Sequence, residues 1–167
     1  MNRLVEQLLC VARLDSLALD VSSPVDLHQV AEEVVGSMAH LALSACRTMA
    51  LIGAEHPVMV TGNAAAIADA LRNLIENALA HTAPGTEVIV EVGPEGTISV
   101  ADSGPGIPAE DRPRIFERFW RGKGVRASGA GLGLAIVMEI VRAHGASITV
   151  NDRIPRGARF DLRFRSA

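Results

Sequence analysis

The stretch AAAIADALRNLIENALAHT, residues 64–82, decides how this sequence folds. Apolar residues recur in it every three or four positions, which is the spacing of the buried face of an amphipathic helix. The residues expected on that buried face include Ile67, Leu71, Leu74 and Ala78. Asn63 comes directly before the stretch and is a good N-cap residue, so we expect a helix to begin there.

Two amides lie within the same stretch. Asn73 and Asn77 are four positions apart, so a helix places them on one face. An amide oxygen suits Mg²⁺, a hard cation that prefers oxygen ligands together with phosphate oxygens and water. The spacing alone does not distinguish a metal site from two ordinary surface amides, and by itself it favours the surface amides.

A second signal, VADSGPGIP at residues 100–108, follows a predicted hairpin of strands at 86–92 and 97–101. Asp102 stands where the second strand ends, and two glycines follow it closely. A carboxylate there can accept a hydrogen bond from an exocyclic amine, while glycine lets the backbone approach a flat ring. When the segment is taken alone, a plain Asp/Gly turn is the favoured explanation.

A third signal, GAGLGLAIV at residues 129–137, opens a predicted helix from Leu132 to about His144. Glycines at a helix start let backbone N–H groups approach phosphates. A Rossmann site would need a strand immediately before the glycines, and the preceding WRGKGVRAS is not a strand. A Walker A loop would need a Gly-Lys-Ser/Thr sequence, which does not follow.

The other predicted elements set the fold class. We expect further helices at 2–16, 26–48 and 110–119, a chain break at Ser22-Ser23-Pro24, and further strands at 57–60, 146–150 and 158–164. Helices and strands do not alternate regularly, so a doubly wound parallel sheet fits poorly. The sequence predicts an α+β two-layer sandwich, in which helices cover one face of a mixed, mostly antiparallel sheet.

Composition excludes several function classes. The chain has a net charge of −3, with 49% hydrophobic and 21% charged residues, so it reads as globular and offers no broad basic field for nucleic acid. Cys10 and Cys46 lack the paired spacing of a disulfide framework or zinc site. No apolar run reaches the roughly 18 residues that cross a bilayer. A cytoplasmic location, without a membrane segment in this chain, is therefore expected.

Together, in this order and spacing, the motifs resemble those of the ATPase family of gyrase-type enzymes, MutL proteins, heat-shock chaperones of that fold and histidine kinases. LRNLIENALAHT is similar to the N box, VADSGPGIP to the first Gly box and GAGLGLAIV to the second. RIFERFWRG, residues 114–122, resembles the F box, which points to sensor histidine kinases. The resemblance covers about residues 25–165.

This resemblance implies a site for ATP and Mg²⁺ between helices and a mobile lid. Asn77 would ligate Mg²⁺, with Asn73 close to the metal and the phosphates. Asp102 would read the adenine amino group. The pocket around the adenine would be shaped by Gly104, Gly106 and Ile107. His81 stands where the family often has an aromatic residue lining the nucleotide, although a half-buried histidine near a helix end would look the same.

The resemblance also places the lid at about residues 120–130. Phe116 and Phe119 would anchor it, and the candidates for phosphate contact are Arg118, Arg121 and Lys123. The residues that would close over the phosphate tail are Gly129, Gly131, Leu132, Gly133 and Leu134. Ala80 replaces a lysine that many members carry near the phosphates, so affinity would depend more on Arg121 and Lys123. Arg159 replaces a small hydroxyl residue, a change expected to affect only the sheet edge.

The phosphoacceptor histidine of such kinases is missing from this sequence. In the family it precedes an acidic residue and then Pro on a dimerising helix, whereas His28, His40 and His144 have other neighbours. Residues 1–20 resemble the end of the second dimerisation helix and its linker, which leaves residues 21–167 as the ATP-binding catalytic domain.

The sequence therefore predicts a protein-histidine kinase module that donates the ATP γ-phosphate to a histidine on a separate or deleted dimerisation domain, and so acts indirectly on a response regulator. No catalytic residue is assigned within the chain, because the general base would lie beside the acceptor histidine. One alternative is a serine kinase that inhibits a sigma factor, and the F box argues against it. The other is a non-catalytic ATP-binding interaction module, which the intact motifs disfavour.

Overall fold

The computed structural model describes residues 20–53, 56–122 and 131–167. Within these ranges the helices are α1 (Leu27–Ser44), α2 (Ala64–His81) and α3 (Gly133–Ala143). The strands are β1 (Ser23–Asp26), β2 (Thr48–Gly53), β3 (Met59–Gly62), β4 (Glu87–Gly93), β5 (Thr97–Ala101), β6 (Ser147–Asp152) and β7 (Ala158–Arg163).

Five of the strands form one mixed sheet in the order β2-β4-β5-β7-β6. β2 and β4 are parallel, and the other neighbours in this sheet are antiparallel. β1 and β3 form a separate antiparallel pair. The predicted α+β sandwich with a mixed, mostly antiparallel sheet is therefore confirmed.

The core lies between the helices and one face of this sheet. Alternate residues of β4 are buried, namely Val88, Val90 and Val92. They form one apolar cluster with the central strands and with the buried faces of all three described helices. Burying an aliphatic side chain of this size contributes about 1.5–3 kcal/mol, so this layer supplies much of the stability.

The predicted central helix is observed as α2. The Asn63 side chain accepts a hydrogen bond from Ala66 N at 3.0 Å, as expected for an N-cap. The predicted core positions Ile67, Leu71, Leu74 and Ala78 are all at most 2% exposed. α2 packs beside α3, and the two helices run in opposite directions, because His144 lies near Asn63 whereas Gly133 lies near Asn73.

The predicted helix at 26–48 is too long. Asp26 is its N-cap, accepting from His28 N at 3.0 Å, but α1 ends at Ser44. Cys46 has a φ of 56°, a left-handed conformation that turns the chain away from the helix. The next residues then form β2, which pairs with β4.

Another local prediction is also wrong. The segment 110–119 forms successive turns instead of a helix; Asp111 N and Arg112 N both donate to Pro108 O. Pro113 interrupts a helix there because it has no N–H to donate. At the predicted chain break, Ser22-Ser23-Pro24, no residue is helical, and β1 begins there with the pairing of Ser23 and Gly62.

Some predictions fall outside the described residues. These are the helix at 2–16 and, within the expected lid, Lys123 and Gly129. In the part of the chain that the structure describes, no helix has the length and apolarity needed to cross a membrane.

Arg159 does not lie at a sheet edge, contrary to expectation, because β7 stands between β5 and β6. Its guanidinium contacts Glu91 on β4 at 2.7 Å and Asp161 on its own strand at 2.7 Å. It therefore bridges across β5 in the middle of the sheet.

Candidate nucleotide-binding site

Asp102 is a buried carboxylate at the end of β5, with only 5% of its surface exposed. Its Oδ1 accepts hydrogen bonds from Gly104 N at 2.7 Å and from Ala158 N at 3.4 Å. Its backbone N–H donates to Ala158 O at 2.9 Å. Among the described residues no donor bonds Oδ2, so one carboxylate oxygen organises the loop while the other is available to a ligand N–H.

Glycines allow close backbone packing around this carboxylate. A Cβ at Gly104 would lie 2.8 Å from Asp102 Oδ1 and 2.9 Å from the carbonyl oxygen of His81. Gly157 has a φ of 126°, and a Cβ there would lie 1.8 Å from the carbonyl oxygen of Asp102. Gly157 was missed as a site residue; it ends the turn-like sequence Pro155-Arg-Gly157, and nothing in that sequence indicates contact with Asp102.

His81 is the last residue of α2 and is half-buried beside the Gly104 loop. Burial lowers the pKa of its imidazole from the ordinary value of 6.5, while the nearby Asp102 carboxylate acts in the opposite direction. A ring with a lowered pKa is mainly neutral at pH 7.5, which suits the wall of a pocket for a flat base.

Asn73 and Asn77 lie on α2 with half-buried side chains. Asn73 Nδ2 donates to Asp69 O at 2.8 Å, and its Oδ1 faces the start of α3, because a Cβ at Gly133 would lie 3.1 Å from it. The Asn77 amide forms no hydrogen bond with the described residues. Both amide oxygens are thus available as ligands of a hard cation.

The donor set fits Mg²⁺ better than a transition metal. In the described ranges no group of three or more His, Cys, Asp or Glu side chains is placed to hold a metal ion. A cation here would rely on amide oxygens, phosphate oxygens and water, which is the environment that Mg²⁺ prefers.

The two ends of the expected lid meet at Phe119 and Gly131. Phe119 N donates to Gly131 O at 2.9 Å, and both residues have a positive φ, 65° and 70°. A Cβ at Gly131 would lie 2.9 Å from Phe119 C and from Trp120 O. Glycine is therefore required where the chain returns to begin α3.

α3 begins without a side-chain cap. Leu132 occupies the N-cap position and is buried, with no side-chain hydrogen bond to the helix. The first backbone N–H groups of α3 therefore receive no hydrogen bond from a side chain at the N-cap, and Gly133 lies beside the Asn73 side chain. Such a helix start is a suitable receptor for an anionic group.

The remaining predicted residues are placed as follows. Ile107, Phe116 and Leu134 are half-buried and pack against the core, while Gly106 lies half-buried in the loop after Asp102. Phe119 is 66% exposed, so it holds the lid end through its backbone more than through its ring. Arg118 and Arg121 are exposed on the same segment. The structure thus brings the three motifs together around one end of α2.

The family described as histidine kinase-, DNA gyrase B-, and HSP90-like ATPases matches residues 62–167. The probable sensor histidine kinase TcrY of Mycobacterium tuberculosis is 43% identical over 156 residues, covering 90% of this chain and 32% of TcrY. The chain therefore spans about a third of the length of that relative.

Solved structures show the same relationship. The mycobacterial sensor histidine kinase MprB superposes with a TM-score of 0.73 at 29% identity, over 88% of this chain and 100% of that one. Full-length ShkA, solved in complex with AMPPNP, gives a TM-score of 0.77 at 32% identity, over 98% of this chain and 36% of ShkA. The chain belongs to the histidine kinase-, DNA gyrase B- and HSP90-like ATPase family, and within it corresponds to the ATP-binding catalytic domain of sensor histidine kinases.

Proposed function

We propose that this domain binds Mg–ATP at the convergence of the three motifs and donates the γ-phosphate to a histidine on a dimerisation domain. The observation that carries the proposal is the environment of Asp102. Its Oδ1 is committed to the loop, its Oδ2 is left for a ligand, and glycine backbone surrounds it. A buried carboxylate with one unused oxygen suits recognition of an exocyclic amine.

The adenine end of the site is assigned to Asp102 and its neighbours. Asp102 accepts a hydrogen bond from the adenine amino group, and His81 lines the base. The loop residues that shape the pocket are Gly104, Gly106 and Ile107. The lowered pKa of His81 supports this assignment, since a neutral ring packs against a base without the cost of burying a charge.

The phosphate end is assigned to the start of α3 and to the amides of α2. Asn77 would ligate Mg²⁺ with Asn73 close to the metal and the phosphates, and Gly131 and Gly133 would close over the phosphate tail. Mg²⁺ supplies neutralisation of the phosphate charge, which phosphoryl transfer requires. The other residues proposed to close over the phosphates are Phe116, Arg118, Phe119, Arg121, Lys123, Gly129, Leu132 and Leu134.

The acceptor is proposed to lie on another domain. Residues 1–20 are proposed to correspond to the end of a dimerisation helix and its linker, and residues 21–167 to the catalytic domain. The acceptor histidine belongs either to a longer form of this chain or to a second polypeptide, and a response regulator receives the phosphate from it. Because ATP is the phosphate donor, the domain is proposed to act in the cytoplasm.

Calorimetry with Mg–ATP tests the binding step, and γ-labelled ATP tests the transfer. Incubated alone, the chain should gain essentially no acid-labile label. Mixed with a purified dimerisation domain that carries an acceptor histidine, it should transfer label to that domain. No binding of ATP or ADP at millimolar concentration would overturn the proposal, and label on a serine would indicate the sigma-factor type of kinase instead.

A further inference from the structure

The loop that follows Asp102 is attached to a hairpin distant in sequence. The hairpin connects β6 to β7 through residues 153–157, and it lies against the loop from Ser103 to Ile107. The hairpin closes on itself, since Arg153 N donates to Gly157 O at 3.0 Å. Contacts of Arg112, Arg153 and Gly157 join the two segments.

Arg112 makes the contact on the far side of the loop. Its Nε donates to the carbonyl oxygen of Ile107 at 3.1 Å, and its Nη2 donates to Asp152 Oδ1 at 2.6 Å. The Arg112 side chain is only 28% exposed, although Asp152 is 70% exposed. One planar guanidinium therefore joins the end of the loop to the end of β6, because its Nε and Nη2 donate to different acceptors.

Arg153 makes the contact on the near side. Its Nη1 donates to Ser103 Oγ at 2.8 Å. Gly157 makes the third contact, because its backbone packs directly against the Asp102 carbonyl. The loop is thus attached to one hairpin at both of its ends. Between these ends Gly106 also lies close to the hairpin, because a Cβ there would be 3.3 Å from the carbonyl oxygen of Gly157.

We infer that Arg112 and Arg153 are positioning residues for nucleotide recognition, which hold the loop after Asp102 in the conformation that recognises the base. This inference rests on the proposed function. The Arg112–Asp152 ion pair is partly exposed and contributes little to stability, typically about 0–1 kcal/mol. The Arg153–Ser103 contact is a single hydrogen bond, worth about 0.5–1.5 kcal/mol, so the main effect of both arginines is on the conformation of the loop. A loop ordered before binding avoids the entropy cost of ordering it around the ligand.

The test compares Arg112→Ala and Arg153→Ala with Arg163→Ala. Arg163 is the matched control, because it forms a 2.5 Å ion pair with Glu95 at the opposite end of the same sheet. The measurements are the Kd for Mg–ATP, the Kd for Mg–GTP as a probe of base selectivity, and Tm. We expect both loop variants to bind ATP about 5- to 30-fold more weakly and to discriminate less against GTP, with a Tm close to that of the control.

Substitutions of the Arg112 contacts give a graded prediction. Arg112→Lys should not restore affinity, because one ammonium cannot reproduce the fork that reaches both acceptors. Asp152→Ala should have a smaller effect than Arg112→Ala, because the bond to Ile107 remains. Asp152→Asn retains an acceptor oxygen and should resemble the wild type.

The outcomes separate the inference from the proposed function. If the wild type fails to bind Mg–ATP, the proposed function is wrong. If the wild type binds and Arg112→Ala and Arg153→Ala bind equally well with unchanged ATP/GTP discrimination, the positioning role is wrong. A lower Tm with unchanged affinity would also overturn it, since that result describes residues that only stabilise the fold.

Discussion

The backbone N–H of Asn63 donates to Nε2 of His144 at 3.0 Å, joining the start of α2 to the end of α3. The other ring nitrogen, Nδ1, lies 2.7 Å from the carbonyl oxygen of Ile140. His144 is only 7% exposed, and its ring meets Phe164 edge-on at 5.6 Å. Both helices carry motif residues toward their other ends. The His144 bonds therefore help to fix the relative position of the two helices that carry the site.

Replacing His144 with Ala should lower the free energy of unfolding by about 1–3 kcal/mol, because the substitution leaves the Asn63 N–H without its acceptor. Urea denaturation measures the change. His40→Ala is the control, since His40 lies exposed on α1, and a change within about 0.5 kcal/mol is expected there. Equal effects of the two substitutions would contradict a structural role for the His144 bonds.

The same Gly→Ala substitution should have opposite signs at two positions. At Gly157 the new Cβ would lie 1.8 Å from Asp102 O, in a backbone with a φ of 126°, so the fold should lose at least about 3 kcal/mol. At Gly36, which is exposed on α1 with no atom within 4 Å of the new Cβ, alanine should stabilise by about 0.5–1 kcal/mol.

Thermal and urea unfolding of these two variants check the prediction, with the wild type as reference. A destabilised Gly36→Ala would indicate a contact of α1 that the described residues do not reveal. An unaffected Gly157→Ala would show that the hairpin moves away from Asp102 at little cost.

The sequence predicted best what is encoded locally. α2 was found because its N-cap and its buried face both lie within one stretch of sequence. The end of α1 was missed, since Thr48–Gly53 becomes a strand by pairing with residues 87–93, about 40 positions later along the chain. Residues 110–119 were assigned to a helix despite Pro113. The structure has turns there, because the missing N–H of Pro113 prevents a regular helix even though helix-forming residues surround it.

The residues of the candidate site also differ in whether the sequence alone reveals them. Asp102, Gly104 and the α2 amides lie within short motifs and are visible in the sequence. Arg112 and Arg153 are not, because their partners Asp152 and Ser103 lie 40 and 50 positions away. Their residue types are common on any surface, so only the folded arrangement gives them a role.

Asn77→Ala should abolish the dependence of ATP binding on Mg²⁺. The substitution removes an amide oxygen proposed as a ligand, so affinity with Mg²⁺ should fall to the value measured in EDTA. Calorimetry in the two conditions measures the difference. Asn151→Ala is the control, because Asn151 is exposed on β6 and bonds Asp161 at 3.0 Å. A Mg²⁺ effect that survives in Asn77→Ala would remove Asn77 from the metal site.

Asp102→Asn should weaken binding of Mg–ATP by about 10- to 100-fold. The hydrogen bond to the adenine amino group then loses its charged acceptor, a difference of about 1.5–3 kcal/mol. Asp161→Asn on β7 is the control, since this carboxylate pairs with Arg159 and is not assigned to the pocket. Equal affinities of the Asp102 and Asp161 variants would contradict the assigned role of Asp102 in base recognition.

His81 should titrate below its ordinary pKa of 6.5, because burial disfavours the charged ring. Between the folded-state pKa and 6.5 the unfolded chain binds more protons, so the free energy of unfolding should fall as the pH is lowered through this window. Above the unfolded-state pKa the ring is neutral in both states, so His81 should add no pH dependence to the free energy of unfolding. His81→Asn should remove this part of the pH dependence, and NMR titration measures the pKa directly. Because the Asp102 carboxylate raises this pKa, Asp102→Asn should lower it further; an increase would show that the two side chains do not interact as the structure places them.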